Sequence, residues 1–175
     1  FVQAAAFGLQ AGVGNAALAQ AVGDRIRRHR AAALREDIQA AVAGVLDLAS
    51  GELSLAVAGH EPPVLVPADG APKLVPVEGG RVLGLIEASD FAVNRRRLGR
   101  GDAVVLYTDG VSEAQDEKGA FFGVERLVAT TAGLRQEAAP ALTNGVLAAV
   151  RAFAGEAPQS DDITILTLRY LGPRG

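Results

Sequence analysis

The chain contains no cysteine, no methionine, no tryptophan and only two histidines, His29 and His60. Without cysteine there are no disulfides and no thiolate metal sites, and with so little imidazole any metal site must be built from oxygen. Oxygen donors select magnesium, manganese or calcium over zinc. The absence of methionine, even at the first position, predicts that the 175 residues are a piece of a longer chain. No stretch approaches the roughly 18 unbroken apolar residues of a membrane span, and FVQAAAFGLQ lacks the charged flank of a signal peptide. These absences predict a soluble, cytoplasmic domain. Positive charge is also in deficit: the net charge is -3 and the pI about 5.4, which gives no general attraction to nucleic acid or to acidic membranes.

What is present suits one α+β domain over residues 1–175, since 49% hydrophobic content supplies a core for one domain and not for two of ordinary size. The centre of the pattern is Gly101 to Phe122, GDAVVLYTDGVSEAQDEKGAFF. Ala103 to Tyr107 form an apolar run too short for a helix, and it reads as a strand buried on both faces. The run stops at Thr108-Asp109-Gly110. A carboxylate at the end of a rigid strand, beside a glycine that lets the backbone turn away, can hold a hard cation or be an ordinary Asp-Gly turn.

Upstream, Asn15 opens an Ala-rich helical stretch to about Arg35, whose late cluster Arg25, Arg27, Arg28, His29 and Arg30 suits the negative end of the helix dipole. AVAGVLDL (41–48), the link Ala49-Ser50-Gly51 and ELSLAVA (52–58) predict a β-hairpin with one covered face. After Gly59-His60-Glu61-Pro62-Pro63, strand-like pieces 64–67 and 73–77 extend the antiparallel meander. His60 in that turn reads first as a structural hydrogen-bonding group and second as a proton carrier. Asp90 to Leu98 is a further strand whose Arg95, Arg96 and Arg97 protect an exposed edge or dock an acidic partner. Downstream, 124–133 is a helix ended by glycine. Residues 137–153 form a longer helix with Leu142, Val146, Val150 and Phe153 on one face. Ser160-Asp161-Asp162 then precedes a last strand, 163–168.

Asp109 just after one strand and Asp161 and Asp162 just before another reach the same sheet edge if the strands are antiparallel neighbours. Like charges gathered there are unfavourable unless a cation or a proton offsets them, so the cluster points to a hard divalent ion. Surface turns remain the alternative.

AGHEPP (58–63), LGL (83–85), the long TDG block (101–127) and SDDITILTLR (160–169), in this order, resemble the metal-dependent protein phosphatase (PPM, type 2C) family. The likeness is to its bacterial SpoIIE/RsbU-like branch, over residues 40–170. The resemblance implies two stacked antiparallel β-sheets flanked by helices, an αββα sandwich, here incomplete at its N-terminal end. It implies two manganese or magnesium ions, about 4 Å apart, and a metal-activated water that attacks phosphoserine or phosphothreonine. By the same carry-over Asp109 and Asp161 are catalytic metal ligands, and Asp162 adjoins them as a further metal-site residue. The implied partner is a phosphorylated anti-anti-sigma protein of the STAS type, with a homodimer as a further expectation. The family's upstream GGDxYD block has no counterpart, and in Leu9-Gln10-Ala11-Gly12-Val13-Gly14-Asn15-Ala16-Ala17 a leucine stands where the family's DxSGHGxxAA has its bridging aspartate. The alternative is therefore a catalytically degenerate phosphatase-like domain that binds and regulates such a partner.

Overall fold

The computed structural model describes residues 39–78, 82 and 92–173, with residues 2–10 and 39 described for the backbone alone. The helix expected over 15–35 with its arginine cluster, the LGL stretch and the start of the strand expected from Asp90 lie outside these. The architecture is α+β, with two four-stranded sheets and helices. By contacts the chain forms two compact units, each containing one sheet.

The first unit carries β1 (Val2–Gln10), β2 (Gln39–Asp47), β3 (Glu52–Ala58) and β6 (Asn94–Arg97), in the order β1-β2-β3-β6. The expected hairpin is β2–β3, antiparallel from Ala41↔Ala58 to Leu46↔Leu53. Its turn is held by Asp47, whose Oδ1 accepts from the Ala49 amide at 2.8 Å and the Ser50 amide at 3.0 Å. Gly51 leaves the turn at φ 74°, a conformation that costs a glycine little. The Ser50 amide bond, ahead of the opposing effect of burial, lowers the Asp47 pKa from its ordinary value.

Two features depart from expectation. β3 is buried on both faces: beside Leu53, Leu55 and Val57, the small Ala56 and Ala58 join Ala41, Ala43 and Val45 in a second apolar cluster. Alternation of large and small residues hid this, because alanine is neutral to the hydrophobic pattern and packs closely where it is covered. β1, a segment with three consecutive alanines and little strand propensity, pairs parallel to β2 from Val2↔Gln39 to Gln10↔Asp47. Tertiary pairing decides its conformation. At the other edge, β6 lies against β3, and its arginines are exposed. Arg95 sits 3.7 Å from Glu52, and Arg96 donates to the Pro76 carbonyl at 3.1 Å. Two of the three cations are thus engaged locally, which favours edge protection over docking.

The second unit carries β4 (Val64–Val66), β5 (Lys73–Leu74), β7 (Ala103–Tyr107) and β8 (Ile165–Arg169), ordered β5-β4-β7-β8 and antiparallel throughout. β4 and β5 therefore begin a second sheet instead of extending the first meander, the change following Pro62 and Pro63, which cannot donate to a ladder. β7 is central and buried at every residue, as its composition predicts. Helices α1 (Asp109–Ser112), α2 (Gly123–Gly133) and α3 (Ala139–Ala154) complete the unit. α3 starts two residues later than expected from position 137, because Pro140 belongs in a first turn, where its missing N–H is harmless.

Leu142, Val146 and Val150 of α3 and Leu127 of α2 pack with Val64, Val66, Val105 and Tyr107 in one core. Each such side chain contributes about 1.5–3 kcal/mol by burial. Phe153 stands edge-on to Phe122, ring centroids 5.5 Å apart, and receives the Arg126 guanidinium 4.7 Å from its centroid. That stack locks the ends of α2 and α3 together.

Candidate metal centre

The register Tyr107↔Ile165 makes β7 and β8 antiparallel neighbours, so Asp109 just beyond Tyr107 and Asp161 and Asp162 just ahead of Ile165 lie at one end of the strand pair. Thr108 fastens the two turns. Its amide donates to the Thr164 carbonyl at 3.1 Å, its hydroxyl donates to the Asp162 carbonyl at 2.8 Å, and the same hydroxyl accepts from the Thr164 amide at 2.9 Å. Gly110 allows the contact: a Cβ there would lie 2.5 Å from the Asp162 carbonyl oxygen and 3.2 Å from that of Asp161. Any side chain at this position would push the turns apart.

The carboxylates are fixed locally. Asp109 Oδ1 accepts from the Gly110 amide at 2.9 Å, and Asp161 Oδ1 accepts from the Asp162 amide at 2.7 Å. The Asp161 carbonyl accepts from Gln159 Nε2 at 2.7 Å. Asp109 is half-buried, whereas Asp161 and Asp162 are exposed.

Three further groups, Glu61, Glu113 and Tyr107, escaped the sequence reading. Glu61 is half-buried; burial first, then the negative charges of Asp109 and Glu113, raise its pKa from the ordinary value. Tyr107 is 1% exposed, and among the described residues its hydroxyl finds no hydrogen-bond partner. Burial and then the Glu61 charge push its pKa up, so it remains protonated and able to donate. The available signal was Glu61 itself, an acid inside the AGHEPP stretch on which the resemblance partly rests. His60 is buried and engaged, as a structural histidine would be.

The donor chemistry fits a hard divalent cation, since carboxylate oxygens at strand ends are what magnesium and manganese take. Among the described residues the donor number is smaller than a two-ion centre needs. No three Asp, Glu or His side chains among the described residues close to metal-binding spacing.

Known structures define the class first. The phosphatase domain of SpoIIE from Bacillus subtilis, in a manganese-presoaked crystal, superposes with TM-score 0.62 over 90% of this chain and 67% of its own, at 14% identity, which shows the fold. The RsbU and RsbW domains of Rv1364c from Mycobacterium tuberculosis match with TM-score 0.65 and 29% identity, over 75% of this chain and 36% of theirs. In sequence, Protein IcfG of Synechocystis sp. is 34% identical over 87 residues, 50% of this chain and 14% of that protein. The chain thus spans a small part of that relative. The family model for stage II sporulation protein E matches residues 7–171, and the chain belongs to the SpoIIE family of PP2C-like serine/threonine phosphatase domains. The match reaches back to residue 7, well beyond the 40–170 over which the motifs are legible.

Proposed function

We propose that this domain hydrolyses phosphoserine or phosphothreonine on a bacterial regulatory protein, with manganese or magnesium held by Asp109 and Asp161 and with Asp162 adjoining. The observation that carries this reading is the abutment of the β7 and β8 turns through Thr108 and Gly110, which brings carboxylate-bearing loops from distant sequence together. A bound divalent cation there supplies charge compensation for the phosphoryl oxygens and acidifies a water nucleophile. The chain's own residues do the positioning. Thr108 holds the turns at fixed separation, Gly110 keeps their contact close, and the negative field of Asp109, Glu61 and Glu113 attracts the cation. Membership of the family that includes RsbU-like domains supports a STAS-type anti-anti-sigma phosphoprotein as substrate.

Leu9 favours a second reading, a domain that binds such a partner without turning it over. Manganese-dependent phosphate release from p-nitrophenyl phosphate and from a phosphoserine peptide separates the two. Turnover that disappears in Asp109→Asn and Asp161→Asn supports catalysis; binding of the peptide without turnover supports the second reading.

A further inference from the structure

Next to the candidate centre lies a cleft of about 430 Å³, within the range of roughly 300–1,000 Å³ usual for ligand pockets. Its walls come from α1, from the C-terminal half of α3 and from the loop that leads to β8. Gly110, which follows Asp109, and Ser160, which precedes Asp161, both line it, so the cleft opens directly beside the two carboxylate-bearing turns. Ala114, Val150 and Ile163 give it apolar walls. Arg151 is the one charged residue of the lining.

Three observations define what the cleft accepts. Arg151 is exposed, and among the described residues its side chain makes no hydrogen bond or ion pair. No carboxylate lines the space, although the chain as a whole is acidic. Glu117, beside Gly155, directs its carboxylate to the Glu156 amide at 3.4 Å and not to Arg151. A lone cation in a cleft walled by apolar groups together with the neutral polar Gln115, Gln159 and Ser160 fits an anionic side chain with an aliphatic stem, the guanidinium taking the carboxylate and the apolar walls the methylenes.

We infer that this cleft is a specificity site for the protein substrate, receiving an aspartate or glutamate that flanks the phosphorylated residue and pairing it with Arg151. The inference rests on the phosphatase-like reading for where the phosphoryl group sits, and it assigns Arg151 to recognition and not to chemistry. A substrate segment laid across the turns reaches the centre with its phosphorylated residue and the cleft with a neighbouring side chain.

The test is fluorescence anisotropy with two short labelled peptides that carry the non-hydrolysable phosphonate analogue of phosphoserine, one flanked by glutamates and the other by alanines. The glutamate peptide is expected to bind about fivefold more tightly, the range of a partly exposed charge pair. Arg151→Glu, shown to be folded by a cooperative thermal transition, is expected to remove or reverse that preference, and Arg151→Lys to keep most of it. Equal binding of the two peptides by the unaltered chain, or a preference that survives Arg151→Glu, overturns the proposal. Turnover of p-nitrophenyl phosphate by the unaltered chain reads the phosphatase function separately, because that substrate has no flanking residue.

Discussion

Gly110 and Asp47 illustrate how single residues set local geometry here. The Asp162 carbonyl oxygen lies where a Gly110 Cβ would sit, so Gly110→Ala must displace backbone instead of a flexible side chain. The expected cost is about 1–3 kcal/mol, as for an overpacked core, read as a lower urea midpoint with an unchanged slope. Asp47 is a pH-dependent prop of the first hairpin. Its folded pKa lies below the ordinary 3.8, so its contribution is complete above that value and is lost as pH falls through the lower folded pKa. Asp47→Asn should therefore flatten the acid limb of the stability profile while lowering stability at neutral pH, which urea titrations across the acid range would measure. Glu61 acts in the opposite sense. Its folded pKa is raised above the ordinary 4.5, so its charged form opposes folding at neutral pH; the opposition fades as pH falls through the raised folded pKa and is gone below the ordinary value. In a chelator, Glu61→Gln is expected to raise the neutral-pH melting temperature.

At the scale of elements, α3 and β7 carry the second unit. Leu142 is fully buried in the core that α3 shares with β4 and β7, and Leu142→Ala should cost about 2–5 kcal/mol in equilibrium unfolding. β7, α2 and α3 were legible in the sequence because each has one dominant period: an unbroken apolar run for β7, helical spacing of Leu142, Val146 and Val150 for α3. β1 was not, since nine residues centred on three alanines, with a glycine among them, carry little β signal, and their conformation follows from pairing with β2. The second face of β3 was hidden for a related reason, its alanines being too small to register as hydrophobic pattern. The placement of Asp109, Asp161 and Asp162 at one end of the β7–β8 pair was legible because each lies close to a recognisable strand. Glu61, Glu113 and Tyr107 were not, because their bearing on the centre arises from proximity across the chain and leaves no local period.

For the molecule as a whole, membership of the SpoIIE family and the joined turns of β7 and β8 support the proposal that Asp109 and Asp161 together hold a divalent cation. Among the described residues no helix is long and apolar enough to cross a membrane, and Asp109 and Glu113 lie close enough to Glu61 for their charges to raise its pKa. Weak binding of one ion is compatible with the proposal, and absence of binding is not. The direct measurement is a calorimetric titration of manganese into the chelator-treated chain, repeated with Asp109→Asn and Asp161→Asn. Saturable binding by the unaltered chain that either substitution weakens at least tenfold, a loss of about 1.4 kcal/mol, is the predicted result. No binding, or binding indifferent to both substitutions, would contradict it.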